Sequence, residues 1–270
     1  MEIASKFIAR SPAFTLTTPT KEELDEVFKK LNPLLITYNV LSESNENAYL
    51  YTIDDNDYEL EKLDSTGRRF ARKGRANFDI KFVDWEVILE QGLKAFCDTR
   101  TRNGLDDGTE DVFLKRMTDN KNNPAFKAIA AFSKDENLLA AYLTVIEVED
   151  WVEITSGYSD NNFLKSYPNN GLFDFALSHY LKEHSFQKVS YGVSSIQKKS
   201  NKESLHVFKK RVGFKATPIK RVFLPNPKYK FAFNPISRSA VKLMLKLKKG
   251  DRNLLKLEGM FDMLEKGGDV

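Results

Sequence analysis

The chain has 270 residues, 41% hydrophobic, 30% charged and 12% aromatic, which is enough apolar material for a sizeable core and excludes general disorder. Its longest apolar run, Leu138–Val148, is broken by Thr144 and Glu147 and falls short of the ~20 residues that cross a bilayer. The formal charge of +4 conceals an asymmetry: from Lys188 to Lys256 there are 19 Lys and Arg against Glu203 and Asp251, net +17, which leaves −13 on the remainder. Such segregation attracts anions, so the segment is read as facing a phosphate-bearing ligand, a nucleic acid or an anionic membrane, with a merely solvated basic face as the alternative.

In chain order, the segment Met1–Arg10 carries Glu2 and Lys6 and lacks the apolar stretch of a secretory signal. Thr20–Asn32 reads as a capped helix with Leu24, Val27, Phe28 and Leu31 on one face. Ala48–Ile53 and Tyr58–Leu63 read as short strands, and Asp64 caps a helix through Lys73. Phe78–Val83 alternates as a strand, Asp84 begins a helix that runs through Cys97, and another helix covers Thr109–Met117. The turn-rich stretch Asp119–Pro124 marks a domain boundary. Beyond it come strands over Phe126–Ser133, Leu138–Glu149 and Trp151–Tyr158, a polar loop over Asn161–Asn170 and a helix over Leu172–Glu183. A strand over Val189–Val193, a helix over Ser204–Val212 stopped by Gly213 and a strand over Phe214–Leu224 complete an α+β pattern. The expected organisation is an N-terminal half over 1–123, a second half over 124–235 and a basic helical tail over 236–270. In that tail Val241, Met244, Leu245 and Lys248 share the side expected to pack, Leu243 and Leu247 widen its apolar arc, and exposed lysines enlarge the basic face.

Cys97, the one cysteine, excludes an intrachain disulfide and points to a reducing, cytoplasmic setting. It lies among helical apolar residues without a histidine motif, so it reads as a small buried hydrophobe. His179 and His184 are i,i+5 and do not share a face of an α-helix. With His206 and Cys97 they offer no metal-ligand spacing, and no metal is expected.

Four segments in order carry a family resemblance. These are the hairpin Ala128–Phe132 with Leu139–Leu143, then Ser156-Gly157-Tyr158 followed by Pro168-Asn169-Asn170-Gly171, the strand Tyr191-Gly192-Val193, and Ser204–Phe214 with its Phe208-Lys209 and Val212-Gly213-Phe214. Together they resemble the C-terminal half of a GNAT-fold acyltransferase of the FemAB-like branch. Arg68-Arg69-x-x-Arg72-Lys73 and Thr99 to Leu114 resemble a preceding, degenerate half. The resemblance implies a GNAT-like mixed sheet flanked by helices, built from two such halves, plus the basic helical tail. It implies an N-acyltransferase that moves an acyl group from acyl-CoA, acetyl-CoA first, to an amine of a small molecule or cell-envelope intermediate. An aminoacyl-tRNA-dependent Fem-type transferase and a non-catalytic anion-binding module are the alternatives. At most weak, salt-sensitive membrane association is expected from the tail.

The resemblance assigns Lys209 and the donor loop, and the remaining candidates are read from their places on the expected elements. Lys209 matches the lysine at the reaction centre of Fem-type transferases, where a fixed cation stabilises the oxyanion of acyl transfer, with one surface lysine among several, including Lys210 and Arg211, as the alternative. Glu153, on the strand Trp151–Tyr158, is a candidate base for the attacking amine, with an edge charge as its bland reading. Many GNAT enzymes carry a Gly-rich pyrophosphate turn where this chain has Ser159–Gly171. Ser159, Asn161, Asn169, Asn170 and Gly171 are therefore the expected donor-phosphate contacts, at a helix N-terminus. Arg68, Arg69 and Arg72 are candidates for gripping an anionic acceptor group, with neutralisation by the preceding Glu59, Glu61 and Asp64 as the alternative. Tyr158, Tyr191 and Phe208 are candidates for lining the pocket, with core packing as the alternative. His206, in a basic helix, is expected to be a solvent-exposed residue.

Overall fold

The computed structural model describes residues 2–5, 8–12, 15–42, 44–54, 58–105, 108–184, 186–194, 202–248 and 251–266. Along the chain run β1 (Glu2–Ser5), β2 (Ile8–Arg10), α1 (Lys21–Leu31), β3 (Leu35–Leu41), β4 (Ala48–Ile53), α2 (Ser65–Asn77), β5 (Phe78–Val83), α3 (Trp85–Gln91), α4 (Leu93–Arg102) and α5 (Glu110–Lys121). They are followed by β6 (Phe126–Ser133), β7 (Leu139–Val148), β8 (Trp151–Ser159), α6 (Pro168–Leu177), β9 (Lys188–Val193), α7 (Lys202–Arg211), β10 (Lys215–Pro225), α8 (Pro235–Leu247) and α9 (Arg252–Lys266).

Side-chain caps fix several helix starts. Thr20 accepts the Glu23 amide at 3.2 Å while the Glu23 carboxylate accepts the Thr20 amide at 2.8 Å, a reciprocal box that opens α1. Asp64 accepts the Gly67 amide at 2.6 Å at the start of α2, and Thr109 the Val112 amide at 3.4 Å at the start of α5.

Three expectations are corrected, and the strand β3 was not among the expectations. Tyr58–Leu63 is not a strand but holds a 3₁₀ turn over Leu60–Lys62. The Arg68 guanidinium takes the carbonyls of Glu61 and Leu63 at 3.0 and 2.6 Å, so a side chain rather than a neighbouring strand satisfies them. The helix expected from Asp84 to Cys97 divides at Gly92 into α3 and α4. There the Tyr142 ring comes so close that an added Cβ would lie 3.2 Å from it. The loop expected over Asn161–Asn170 forms a 3₁₀ turn, Asn161–Ser166, and the first turn of α6, opened by Pro168. Finally, β3 lacked an alternating signal because its first five residues are all buried.

The chain divides into two units. One comprises Met1–Leu50, Val193–Ser200 and Ala216–Val270, the other Tyr51–Gly192 and Asn201–Lys215. The expected boundary at 123/124 runs through the second, where β5 and β6 are antiparallel neighbours from Phe78↔Ser133 to Val83↔Ala128.

In the first unit the strands run in the order β1-β2-β3-β10, with β2 and β3 parallel and the other pairs antiparallel. Ala9, Ile36 and Tyr38 pack under Leu24, Val27 and Phe28 of α1. Leu35 and Phe223 pack against Leu257 and Met260 of α9. Arg238 of α8 pairs with Asp262 of α9 at 2.6 Å. The tail packs differently from the expectation. Leu245 is the residue of α8 that is buried, whereas Ile236, Leu243 and Leu247 are 81%, 60% and 81% exposed and Met244 is exposed too. The inward residues Ser237, Arg238, Val241 and Leu245 follow the helical repeat, and they turn Ile236, Ala240, Leu243 and Leu247 outward as a stripe.

In the second unit the order is β9-β8-β7-β6-β5, antiparallel except for the parallel pair β8/β9. This mixed sheet is flanked by helices. Ala128, Ala130, Phe132, Tyr142 and Tyr158 join Ile88, Phe96, Phe113 and Met117 of α3, α4 and α5 in one core. On the neighbouring helices, Gly74 of α2 and Gly171 of α6 lie so close that a Cβ on Gly74 would meet the Gly171 amide nitrogen at 2.6 Å.

Candidate active site

The parallel pairing of β8 and β9 is short. It covers Trp151↔Lys188, Val152↔Val189 and Glu153↔Ser190 and then ceases, although β8 continues to Ser159 and β9 to Val193. Two local features accompany the divergence. Thr155 is bulged out of the β7/β8 register and turns its hydroxyl to the Thr144 carbonyl at 2.9 Å. Gly192 takes a positive φ of 63° beside the Glu153 carboxylate, whose Oε1 would lie 3.6 Å from a Cβ placed there.

Lys209 of α7 enters this region. Its side chain is buried, and Nζ donates to the Tyr191 carbonyl on β9 at 2.7 Å. The same ammonium lies 4.1 Å from the ring centroid of Tyr51 and 4.3 Å from that of Tyr191. Burial pushes the Lys209 ammonium down to about 7, opposed by the charge of Glu153. The two aromatic faces favour the charged form as well. Burial pushes the Tyr191 phenol well up, so Tyr191 is a neutral hydrogen-bonding group. Its hydroxyl reaches towards Gly157, where an added Cβ would lie 3.7 Å away.

Three of the predicted residues, Lys209, Tyr191 and Glu153, thus come together where β8 and β9 part. Phe208 packs on Phe173, with ring centroids 5.3 Å apart. Tyr158 belongs to the core: its ring lies 5.1 Å from Phe96 and 4.9 Å from Tyr142, and its hydroxyl accepts from Arg116 at 2.8 Å. His206 departs from the exposed default, since its Nδ1 is 2.8 Å from the Tyr51 hydroxyl. Neither Tyr51 nor this bond was anticipated. The available signal was the i,i+3 spacing of His206 and Lys209, which sets both on one face of α7.

Of the residues expected to cradle donor phosphates, Ser159, Asn161, Asn169 and Gly171 make hydrogen bonds within the protein. Ser159 is buried, and its hydroxyl accepts from Arg102 at 2.8 Å and from Asn169 at 3.2 Å. Arg102 also donates to Asn161 Oδ1. The Asn161 amide goes to Asp98 at 2.8 Å and the Asn162 amide to Asp160, likewise at 2.8 Å. Lys94 bridges both carboxylates at 2.9 and 2.7 Å. Two acids thus occupy the amides of Asn161 and Asn162. Asn170 is buried, and the Gly171 amide bonds to the Tyr167 carbonyl at 3.3 Å. Gly171 serves the close approach to α2.

The arginine cluster is likewise divided. Arg68 holds the turn before α2, Arg72 pairs with Glu61 at 3.0 Å, and Arg69 lies 5.0 Å from the Phe70 ring. Burial raises the Cys97 thiol, consistent with an inert residue.

Solved structures share this architecture. FemX superposes with a TM-score of 0.58 at 12% identity over 78% of this chain and 77% of its own. The chain shares the GNAT-like fold of FemX. The C-terminal domain (DUF2156) of a proposed lysylphosphatidylglycerol synthetase from Agrobacterium fabrum gives a TM-score of 0.52 at 12% identity, over 86% of this chain and 79% of that one. A conserved protein of unknown function from Bacteroides thetaiotaomicron gives 0.53 at 9% identity, over 76% and 74%. No protein-family model and no curated protein matches the sequence. The FemAB-like resemblance therefore holds at the level of the fold.

Proposed function

We propose that the chain is an N-acyltransferase with its reaction centre where β8 and β9 diverge. The observation that carries this reading is the buried Lys209 ammonium, held between Tyr51 and Tyr191 beside Glu153. The acceptor amine attacks the donor carbonyl carbon, and the electron pair of the C=O bond moves onto oxygen. Lys209 stabilises the oxyanion so formed, in a site where burial strengthens the interaction. Collapse expels the donor's leaving group, and the proton lost by the amine goes to Glu153, directly or through one water.

The donor proposed is acyl-CoA, acetyl-CoA first, and the acceptor an amine of a small molecule or cell-envelope intermediate. A Fem-type transfer from aminoacyl-tRNA is the second reading, favoured by the net +17 of Lys188–Lys256 and by the loop at Ser159–Gly171, whose amides are taken by Asp98 and Asp160. We place the protein in the cytoplasm, with at most weak, salt-sensitive membrane association through the exposed stripe of α8 and its Lys242 and Lys246.

Transfer to a panel of amines is measured with acetyl-CoA, longer acyl-CoAs and aminoacyl-tRNA as donors. The reading expects an acylated amine with one donor class and its loss in Lys209→Met. A steep fall of binding with salt assigns tRNA, and a shallow one assigns CoA. Equal acylation by the variant removes Lys209 from the reaction.

A further inference from the structure

The helix after Pro168 does not end as an α-helix. Over Ser178–Glu183 it widens into a π turn, and the His184 amide bonds to the His179 carbonyl five residues back at 3.0 Å. The extra residue per turn reverses the spacing argument made from the sequence. Positions i and i+5 now lie over one another, and the rings of His179 and His184 are 4.1 Å apart, centroid to centroid. Glu183 adds a carboxylate, with Oε2 3.2 Å from His179 Nδ1. One donor atom from each of the three residues lies within 4.8 Å of the others.

We propose that His179, Glu183 and His184 form a binding site for a divalent transition metal, Zn²⁺ by ligand chemistry. Two imidazole nitrogens and one carboxylate oxygen are a donor set that suits Zn²⁺ and leaves a coordination position for water. Donors around a tetrahedral Zn²⁺, each at ~2.0–2.2 Å, stand about 3.3–3.6 Å apart, and the three donor atoms here lie within 4.8 Å of one another. His179 is oriented from behind by the rings of Phe82 at 4.5 Å and Tyr180 at 5.1 Å, and the Tyr180 hydroxyl is tied to Glu147 at 3.0 Å. Glu183 and His184 are exposed and so open to an arriving ion. A plain α-helix would have separated the two histidines, whereas this π turn supplies the missing ligand; such turns are frequent at functional sites.

The test uses the untagged full chain, stripped with chelator and titrated with Zn²⁺ and with Co²⁺ as a spectroscopic probe. We expect one equivalent bound with micromolar or tighter affinity, a visible Co²⁺ band with imidazole ligation, and a rise in melting temperature on adding Zn²⁺. His184→Asn, an exposed change that leaves the fold intact, weakens binding by at least tenfold and removes the Zn²⁺-induced rise. His179→Asn does the same, with circular dichroism checking that the chain is folded. Absence of a bound equivalent at 100 μM Zn²⁺ overturns the proposal, as does binding that His184→Asn leaves unchanged.

Discussion

The ammonium of Lys209 on α7 donates to the backbone carbonyl of Tyr191 on β9 at 2.7 Å. A carbonyl on a strand that has parted from its neighbour is thus satisfied by a side chain, and the cation is held by backbone rather than by a carboxylate. One proton of the ammonium is committed to Tyr191. Glu153 acts on Lys209 through its charge and favours the protonated form.

A pH profile separates two roles for Lys209. Its folded-state value is depressed from 10.5 to about 7. If the ammonium stabilises an oxyanion, kcat falls as pH rises through about 7; a neutral amine acting as base gives a rise instead. We predict the falling limb, and its absence in Lys209→Arg, whose guanidinium stays charged. Stability carries the opposite signature. Between pH 7 and 10.5 the unfolded chain binds a proton at this site that the folded chain does not, so the contribution to stability rises with pH across that window. Chemical denaturation of the wild type against Lys209→Met at pH 7 and pH 9.5 measures it.

Glu153→Gln removes the charge that favours the Lys209 ammonium. The falling limb of the wild-type profile then moves to lower pH. If Glu153 also takes the amine proton, kcat at the plateau falls by about 10²–10⁴. An unmoved limb would show that the carboxylate does not sense Lys209.

Gly171→Ala places a methyl group 2.8 Å from the Gly74 carbonyl carbon and 2.9 Å from Ile80 Cδ1. Separating α2 from α6 is predicted to cost about 1–3 kcal/mol, seen as a lower denaturation midpoint. Full stability would mean that this glycine is held for a ligand rather than for packing.

Much of the fold was legible in the sequence. Thr20 with Glu23, Asp64 and Thr109 announced helix starts through their own hydrogen bonds, and the residues of Phe78–Val83 and Phe126–Ser133 formed strands over those ranges. The failures came from long-range partners. A strand buried on both faces, as β3 is at its start, has no alternation to read. The π turn at Ser178–Glu183 has no local signature, yet it decides that His179 and His184 meet. At the candidate site, Lys209 and Tyr191 were read from the order of the resembling segments and Glu153 from its place on the strand Trp151–Tyr158. Tyr51 lies some 150 residues before His206 and could be placed only by the tertiary fold. At Ser159–Gly171 the partners Asp98, Lys94 and Arg102 sit far away in sequence and could not be read from the loop itself.

Leu243 and Leu247 stand outward on α8, whereas Leu255 and Met260 of α9 are buried. Leu243→Ser with Leu247→Ser is predicted to shift stability by no more than about 0.5 kcal/mol per site. Met260→Ala is predicted to cost about 2–5 kcal/mol. The same double serine variant is expected to lose any co-sedimentation with anionic vesicles at low salt. Wild-type co-sedimentation that persists at high salt would contradict the weak association proposed.

The most direct test of the account is the turnover of Lys209→Met relative to wild type in the acyl-transfer assay, with melting temperatures measured in parallel. The account predicts a loss of about 10²–10³ in kcat with the chain still folded at the assay temperature. Wild-type turnover in the variant would contradict it.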